Sequence, residues 1–150
     1  MNNKGFTLIE LLAIIVLLAV IMSVGSYVVV TYIENSRNVS YDLLIENIKT
    51  GVVSHYEECL YNPYSTACQE DYVDDIRDSN SMTVTLGNLA KYGFLTSTEG
   101  KILDPRDNDN DITNCIVKVI RSVDSNYTVT YNVTSGSGEG CPSSEEYSND

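Results

Sequence analysis

The stretch Lys4–Val30, KGFTLIELLAIIVLLAVIMSVGSYVVV, decides the fold. From Leu11 to Val30 it holds 20 residues without a charge. About 20 apolar residues, rising 1.5 Å each as a helix, span the hydrocarbon core of a bilayer. The run is too long for the apolar region of a secretory signal peptide, and no small-residue cleavage site follows it. Lys4 is the only basic residue ahead of it, which puts the N-terminus in the cytoplasm and the remaining chain outside. Glu10 is the anomaly. A central acid in a membrane span costs about 2.5–3.5 kcal/mol, less near the interface, so this carboxylate needs a partner or interfacial water.

Outward from this segment, roughly 115 of the 150 residues remain, enough for one small domain. The helix pattern continues without a proline until Pro63. Tyr41, Leu44, Ile48, Val52, Tyr56 and Cys59 recur at three- and four-residue steps and form one stripe of an amphipathic helix. A continuous helix from about Phe6 to about Leu60 is predicted, apolar nearly all round in its first half and on one face in its second. Residues 60–81 read as a polar, acidic connection with turn signals. TVTLGNLAKYGFL predicts a short helix capped by Thr83 or Thr85, with Leu86, Leu89 and Ala90 inward and Gly93 as its stop. CIVKVIRS and YTVTYNVT alternate at period two around VDSN, a β-hairpin signal with the inward register left open. The fold class is therefore α+β, a long N-terminal helix packed on a small antiparallel sheet. The tail from about 142 is Gly/Ser-rich and acidic, hence expected to be flexible.

The cysteines, Cys59, Cys68, Cys115 and Cys141, are even in number in a chain that begins like an exported one, which favours two disulfides. Pairing Cys59 with Cys68 and Cys115 with Cys141 closes the shortest loops, and the other two connectivities stay open. Zinc is the rival reading. It lacks a C-x2–4-C spacing, and the only histidine, His55, lies four residues before Cys59.

The phrase KGFTLIELL resembles the prepilin motif of type IV pilins and pseudopilins. The resemblance implies a leader of residues 1–5, cleavage by prepilin peptidase between Gly5 and Phe6, and N-methylation of Phe6. It makes Glu10 the fifth residue of the mature chain, the family's acidic position. In the family's filaments that carboxylate meets the N-terminal amine of a neighbouring subunit, so that each ion lowers the other's burial cost. A helix half over 6–33 would serve as membrane anchor and filament core, and a head over 34–150 would lie outside the cell. Implied partners are other copies or other pilins, the peptidase, the membrane, and an assembly platform with its ATPase. The precursor would sit in the cytoplasmic (inner) membrane and the assembled form on the cell surface. Major and minor pilins, competence pseudopilins and secretion pseudopilins share the motif. A disulfide from Cys141 to Cys115 would resemble the family's C-terminal loop. Many members carry a proline where this chain has Tyr27, so Gly25 is the weak point at which the helix could melt on assembly.

Other chemistry is sparse. With 21 acidic against 9 basic residues and a net charge of −12, the surface repels phosphate backbones, and no direct contact with nucleic acid is expected. Asp107, Asp109 and Asp111 match the first ligands of a calcium loop. Ile112 replaces the glycine such a loop needs and Lys118 replaces its glutamate, leaving an irregular calcium site or a solvated acidic turn. Catalytic serine or cysteine motifs and phosphate-binding glycine loops are missing, so neither an enzyme nor a cofactor is expected. The alternative function is a monomeric, signal-anchored binding domain that never polymerises.

Overall fold

The computed structural model describes residues 7–135, 138 and 140–148, without the side chains of 24–28, 70 and 71. The chain falls into two units, Met1–Val39 and Ser40–Asp150. Helix α1 runs unbroken over Leu8–Tyr61, 54 residues, including the expected weak point at Gly25. A single glycine costs a helix only about 1 kcal/mol.

In the second unit, α1 is followed by α2 (Glu70–Ser79), β1 (Ser81–Thr85), α3 (Leu86–Lys91), β2 (Leu103–Asp104), β3 (Asp107–Asp111), β4 (Ile116–Val123) and β5 (Val129–Ser135). Strands β1, β4 and β5 form an antiparallel sheet in the order β1-β4-β5, and β2 pairs with β3 in a separate two-stranded ribbon. Val84 opposite Val117, Met82 opposite Val119 and Val119 opposite Val133 settle the register that the sequence leaves open. All five of these side chains are buried. They meet the inward stripe of α1, where Tyr41, Ile45, Ile48, Val52, Tyr56 and Cys59 join the same core. Ile45 enters this stripe, and Leu44, expected there, is only half-buried.

Two elements depart from the sequence reading. Residues 70–79, expected as an irregular connection, form α2, whose Tyr72 and Ile76 reach the core while Glu70, Asp71, Asp74, Asp75 and Asp78 make half of its positions acidic. Two apolar side chains one turn apart suffice to dock a short helix. SMTVT, in which only a later cap was sought, forms β1 ahead of α3; Thr85 ends the strand and caps the helix, accepting from the Asn88 amide at 3.2 Å. Gly93 takes φ +83°, the left-handed conformation expected of a helix stop.

At Gly51 the α1 backbone approaches the segment after α3 closely. A Cβ there would stand 2.4 Å from the Phe94 carbonyl oxygen, a backbone atom that cannot swing aside. Two bridges fix the ends of the fold, Cys59–Cys68 at the exit of α1 and Cys115–Cys141 behind β4.

The tail also differs from its expected flexibility, since Tyr147 is buried in the core. An arginine draws it in. Arg106 binds Asp104 at 2.9 Å and Glu146 at 3.1 Å, and its guanidinium carbon lies 3.2 Å from the centre of the Tyr41 ring. The α1 helix, the β2–β3 turn and the C-terminal segment thereby converge on one cation, with cation–π and bidentate geometry that lysine would not reproduce. Burial pushes the Asp104 carboxyl up, but hydrogen bonds from Arg106 outweigh this and hold it below its ordinary 3.8. Burial likewise raises Glu146, and the Ser143 amide and Arg106 bring it below 4.5. The Tyr41 hydroxyl is pushed far up by its burial and by the Glu146 charge, which it faces without hydrogen-bond geometry.

Four outcomes are expected in detergent solution. Gly51→Ala lowers stability by about 1–3 kcal/mol in urea unfolding, the range for overpacking. Opening a disulfide by Cys→Ser substitution costs about 2.5 kcal/mol at Cys59–Cys68 and about 3.5 kcal/mol at Cys115–Cys141, the larger loop, by loop-closure entropy. Because the folded Asp104 and Glu146 values are depressed, their stabilisation is complete above the unfolded values of 3.8 and 4.5 and is lost as pH falls through the folded ones. Wild-type stability therefore declines on acidification below about pH 4.5. Arg106→Gln, which leaves Asp104 buried and unpaired, costs about 2 kcal/mol near neutrality, and that deficit shrinks as the pH is lowered.

Candidate functional site

The site with the strongest chemical pattern is the start of α1. Lys4, Gly5 and Phe6, which contain the expected cleavage junction, lie outside the described residues. The first described residue, Thr7, closes the helix. Its carbonyl accepts from the Glu10 and Leu11 amides at 3.1 and 3.2 Å. The Glu10 carboxylate reaches back to accept from the Thr7 amide at 3.2 Å and from its hydroxyl at 3.1 Å, while the Glu10 amide donates to that hydroxyl at 3.4 Å. This is a reciprocal capping box, Thr-x-x-Glu, which satisfies otherwise orphaned helix N–H groups and places a negative charge at the positive end of the helix dipole. The spacing stands in the sequence as TLIE, and Thr7 is a local partner beside the neighbouring subunit or interfacial water expected for Glu10.

Beyond the cap, Leu8, Ile9, Leu11, Leu12, Ile14 and Ile15 are all exposed, as are Val16, Leu17, Leu18, Val20, Ile21 and Met22. Consecutive helical residues point in directions 100° apart, so these side chains cover every face of the helix. A helix apolar all round belongs in a protein core or a membrane. Among the described residues no helix is long and apolar enough to cross a membrane, and the side chains of 24–28 are outside that description.

The remaining candidates separate clearly. Asp107, Asp109 and Asp111 lie along β3, but the carboxylates of Asp107 and Asp111 serve local turns. Asp107 accepts from the Asp109 amide at 3.1 Å, and Asp111 accepts from both the amide and the hydroxyl of Thr113. These hydrogen bonds hold Asp111 below its usual carboxylate range. The three aspartates do not converge as a metal-binding group among the described residues.

His55 is fully buried, bonded through Nε2 to the Ala67 carbonyl at 2.9 Å and stacked on Phe94 with ring centres 4.7 Å apart. Burial lowers its pKa. One ring nitrogen of His55 and the sulfurs of Cys59 and Cys68 lie within 4.8 Å of one another. Sequence spacing places two members of this group, His55 and Cys59, on one helix face; the return of the chain brings the third, Cys68.

Two open grooves, about 380 and 320 Å³, follow α1 from Ser40 to Ser54 along the segment 93–105. Leu43, Leu44, Asn47, Ile102 and Leu103 line the larger one, whose single ionisable lining side chain is Lys101. Neither groove presents an acid–base pair.

With that geometry in place, the comparisons with known proteins bear on the helix start alone. Residues 1–26 match the prokaryotic N-terminal methylation motif. They carry the type IV pilin and pseudopilin signature. The match supports prepilin-type processing of this start. No curated protein and no solved structure matches the chain.

Thr7→Ala tests the cap. Losing the hydroxyl costs about 1 kcal/mol locally, so amide hydrogen exchange over residues 8–11 of the detergent-solubilised protein accelerates about fivefold. Protection around Ile48 stays unchanged.

Proposed function

We propose that this chain is a structural subunit of a type IV pilus-like filament. Prepilin peptidase cuts between Gly5 and Phe6, the new Phe6 amine is methylated, and subunits assemble by packing the first halves of their α1 helices. The filament serves adhesion, motility, DNA uptake or protein secretion, and an assembly platform with its ATPase supplies the energy. One observation carries the reading: a methylation motif is joined directly to a helix half whose apolar side chains are exposed on every face.

The physical logic is one of solvent exchange. In the membrane, lipid covers these side chains. Each Leu, Ile or Val left in water instead would cost about 1.5–3 kcal/mol. Extraction into an aqueous surface filament is therefore feasible only if neighbouring helices replace the lipid as the subunit leaves. Glu10 then exchanges its capping partner, Thr7, for the methylated amine of a neighbour. The gain is an ion pair in a dry interior, where an unpaired charge would be strongly unfavourable. Misregistered subunits lack that pair, which makes Glu10 an assembly check.

The test is the intact mass and N-terminal peptide of the protein recovered from its own cells. A chain beginning at methylated Phe6 is expected. A chain beginning at Met1 in cells with an active peptidase overturns the reading and leaves the anchored monomeric binding domain. Gly5→Ala is expected to accumulate as full-length precursor. Glu10→Gln retains an oxygen for the cap but no charge; it is expected to be cleaved normally and to lower filament yield at least tenfold, by loss of an interaction worth more than about 1.4 kcal/mol. Normal filaments from Glu10→Gln would eliminate the charge-pair mechanism.

A further inference from the structure

The phrase Asn-x-Ser/Thr begins at Asn38, Asn126 and Asn132. In an exported chain it is the acceptor pattern for an N-linked glycan, with the carboxamide as the group modified and the hydroxyl two residues on as part of what the transferase reads. Backbone conformation separates the three. Asn38 lies inside α1, where every neighbouring amide belongs to the helix ladder. Asn132 lies inside β5, paired with Ile120 of β4, and the hydroxyl of its Thr134 is already donated to the Lys118 carbonyl at 3.5 Å. A transferase would have to unwind the first or unzip the second.

Asn126 meets neither obstacle. Strand β4 ends at Val123 and β5 begins at Val129, which leaves residues 124–128, all exposed, as the turn between them. Asp124 closes that turn. Its Oδ1 accepts from the Asn126 and Thr128 amides, each at 2.8 Å, its own amide donates to the Thr128 carbonyl at 3.0 Å, and its carbonyl accepts from the Tyr127 amide at 3.1 Å. The turn is therefore held by groups other than those a transferase needs: among the described residues neither the Asn126 carboxamide nor the Thr128 hydroxyl is engaged in a hydrogen bond. Tyr127, between them, takes φ +64° and is 89 % exposed. That left-handed conformation, disfavoured for a bulky residue, bends the chain at the middle of the phrase and turns it outward. Asp124 is also the only charged side chain of the turn, two residues ahead of the acceptor, where it offers a transferase a fixed point of ionic recognition.

We infer that Asn126 is a glycosylation site, modified on Nδ2 by an oligosaccharyltransferase that uses a polyisoprenyl pyrophosphate-linked glycan. In the transfer, the bond from Nδ2 to the anomeric carbon of the first sugar forms and the bond from that carbon to the pyrophosphate oxygen breaks. The lipid pyrophosphate leaves with the electron pair, and one carboxamide proton passes to a base of the transferase. The inference rests on the proposed location of the head outside the cytoplasm, where such a donor is presented. It adds a polar, bulky cover at the tip of the β4–β5 hairpin, the end of the sheet farthest along those two strands from the Cys115–Cys141 bridge.

The experiment uses the protein recovered from its own cells, reduced, alkylated and digested with trypsin. The peptide Ser122–Asp150 contains Asn126 and Asn132 together, so electron-transfer fragmentation assigns the modified residue. A glycan mass on Asn126, accompanied by sugar oxonium ions, is expected, with Asn38 and Asn132 bare. Thr128→Ala is expected to lower occupancy by roughly tenfold or more, since a site that hydrogen-bonds a substrate hydroxyl rejects the analogue lacking it. Thr128→Ser retains the glycan, as does Thr134→Ala. Near-UV circular dichroism of the tyrosines verifies that each variant is folded.

A bare Asn126, a sugar on Ser125, Thr128 or Asn132 in its place, or undiminished occupancy in Thr128→Ala overturns the assignment. The N-terminal peptide of the same digest reports separately on the filament reading. Methylated Phe6 with a bare Asn126 removes the glycan alone, whereas a glycosylated chain that begins at Met1 keeps the site and removes the filament.

Discussion

Everything in this molecule follows from where one helix hides its apolar surface. Over Tyr41–Cys59, α1 turns a single stripe inward, and the sheet, α2, α3 and the C-terminal segment supply the atoms that meet it. Over Leu8–Met22 the same helix has no such cover of its own. A chain whose core stripe is complete but whose first turns are apolar on every side is folded without being finished. Water is the least favourable neighbour available to those turns.

The legible parts of the fold were those with a repeat long enough to average over exceptions. The three-and-four spacing through Ile48, Val52 and Tyr56 announced the core face of α1, and the alternation of Val117 and Val119 with Lys118 announced β4. Short elements were harder. In α2, Tyr72 and Ile76 are the two core anchors of ten residues, and their acidic neighbours make the segment look like a loop. In β1, five residues are too few for alternation to distinguish a strand from the approach to a helix; pairing with β4 decides it. The tail was misread for a different reason. Its composition is that of a disordered segment, but Tyr147 and Glu146 find the core and Arg106, partners separated from them by some forty residues of sequence. Composition reports what a segment can do unaided, whereas this one is held by the rest.

At the candidate site the balance differed. The motif around Gly5 was fully visible, because it is a linear phrase whose match needs no fold. The Thr7–Glu10 cap was visible too, as a spacing, but a residue with one conspicuous role conceals a second. The His55 corner could not have been read from spacing alone, since its third member, Cys68, arrives through the loop after α1.

In the filament proposed above, the cap at Thr7 also bears on how easily subunits leave. A carboxylate with no partner but a neighbour's amine would bind that neighbour as though by a ratchet, since every departure would strand a bare ion. Glu10 instead has a place of rest within its own helix, in the hydrogen bonds from Thr7. Departure then becomes an exchange between two satisfied states rather than a fall into an unsatisfied one. A polymer built on such an exchange can shorten as well as grow, returning intact monomers that are fit to be used again.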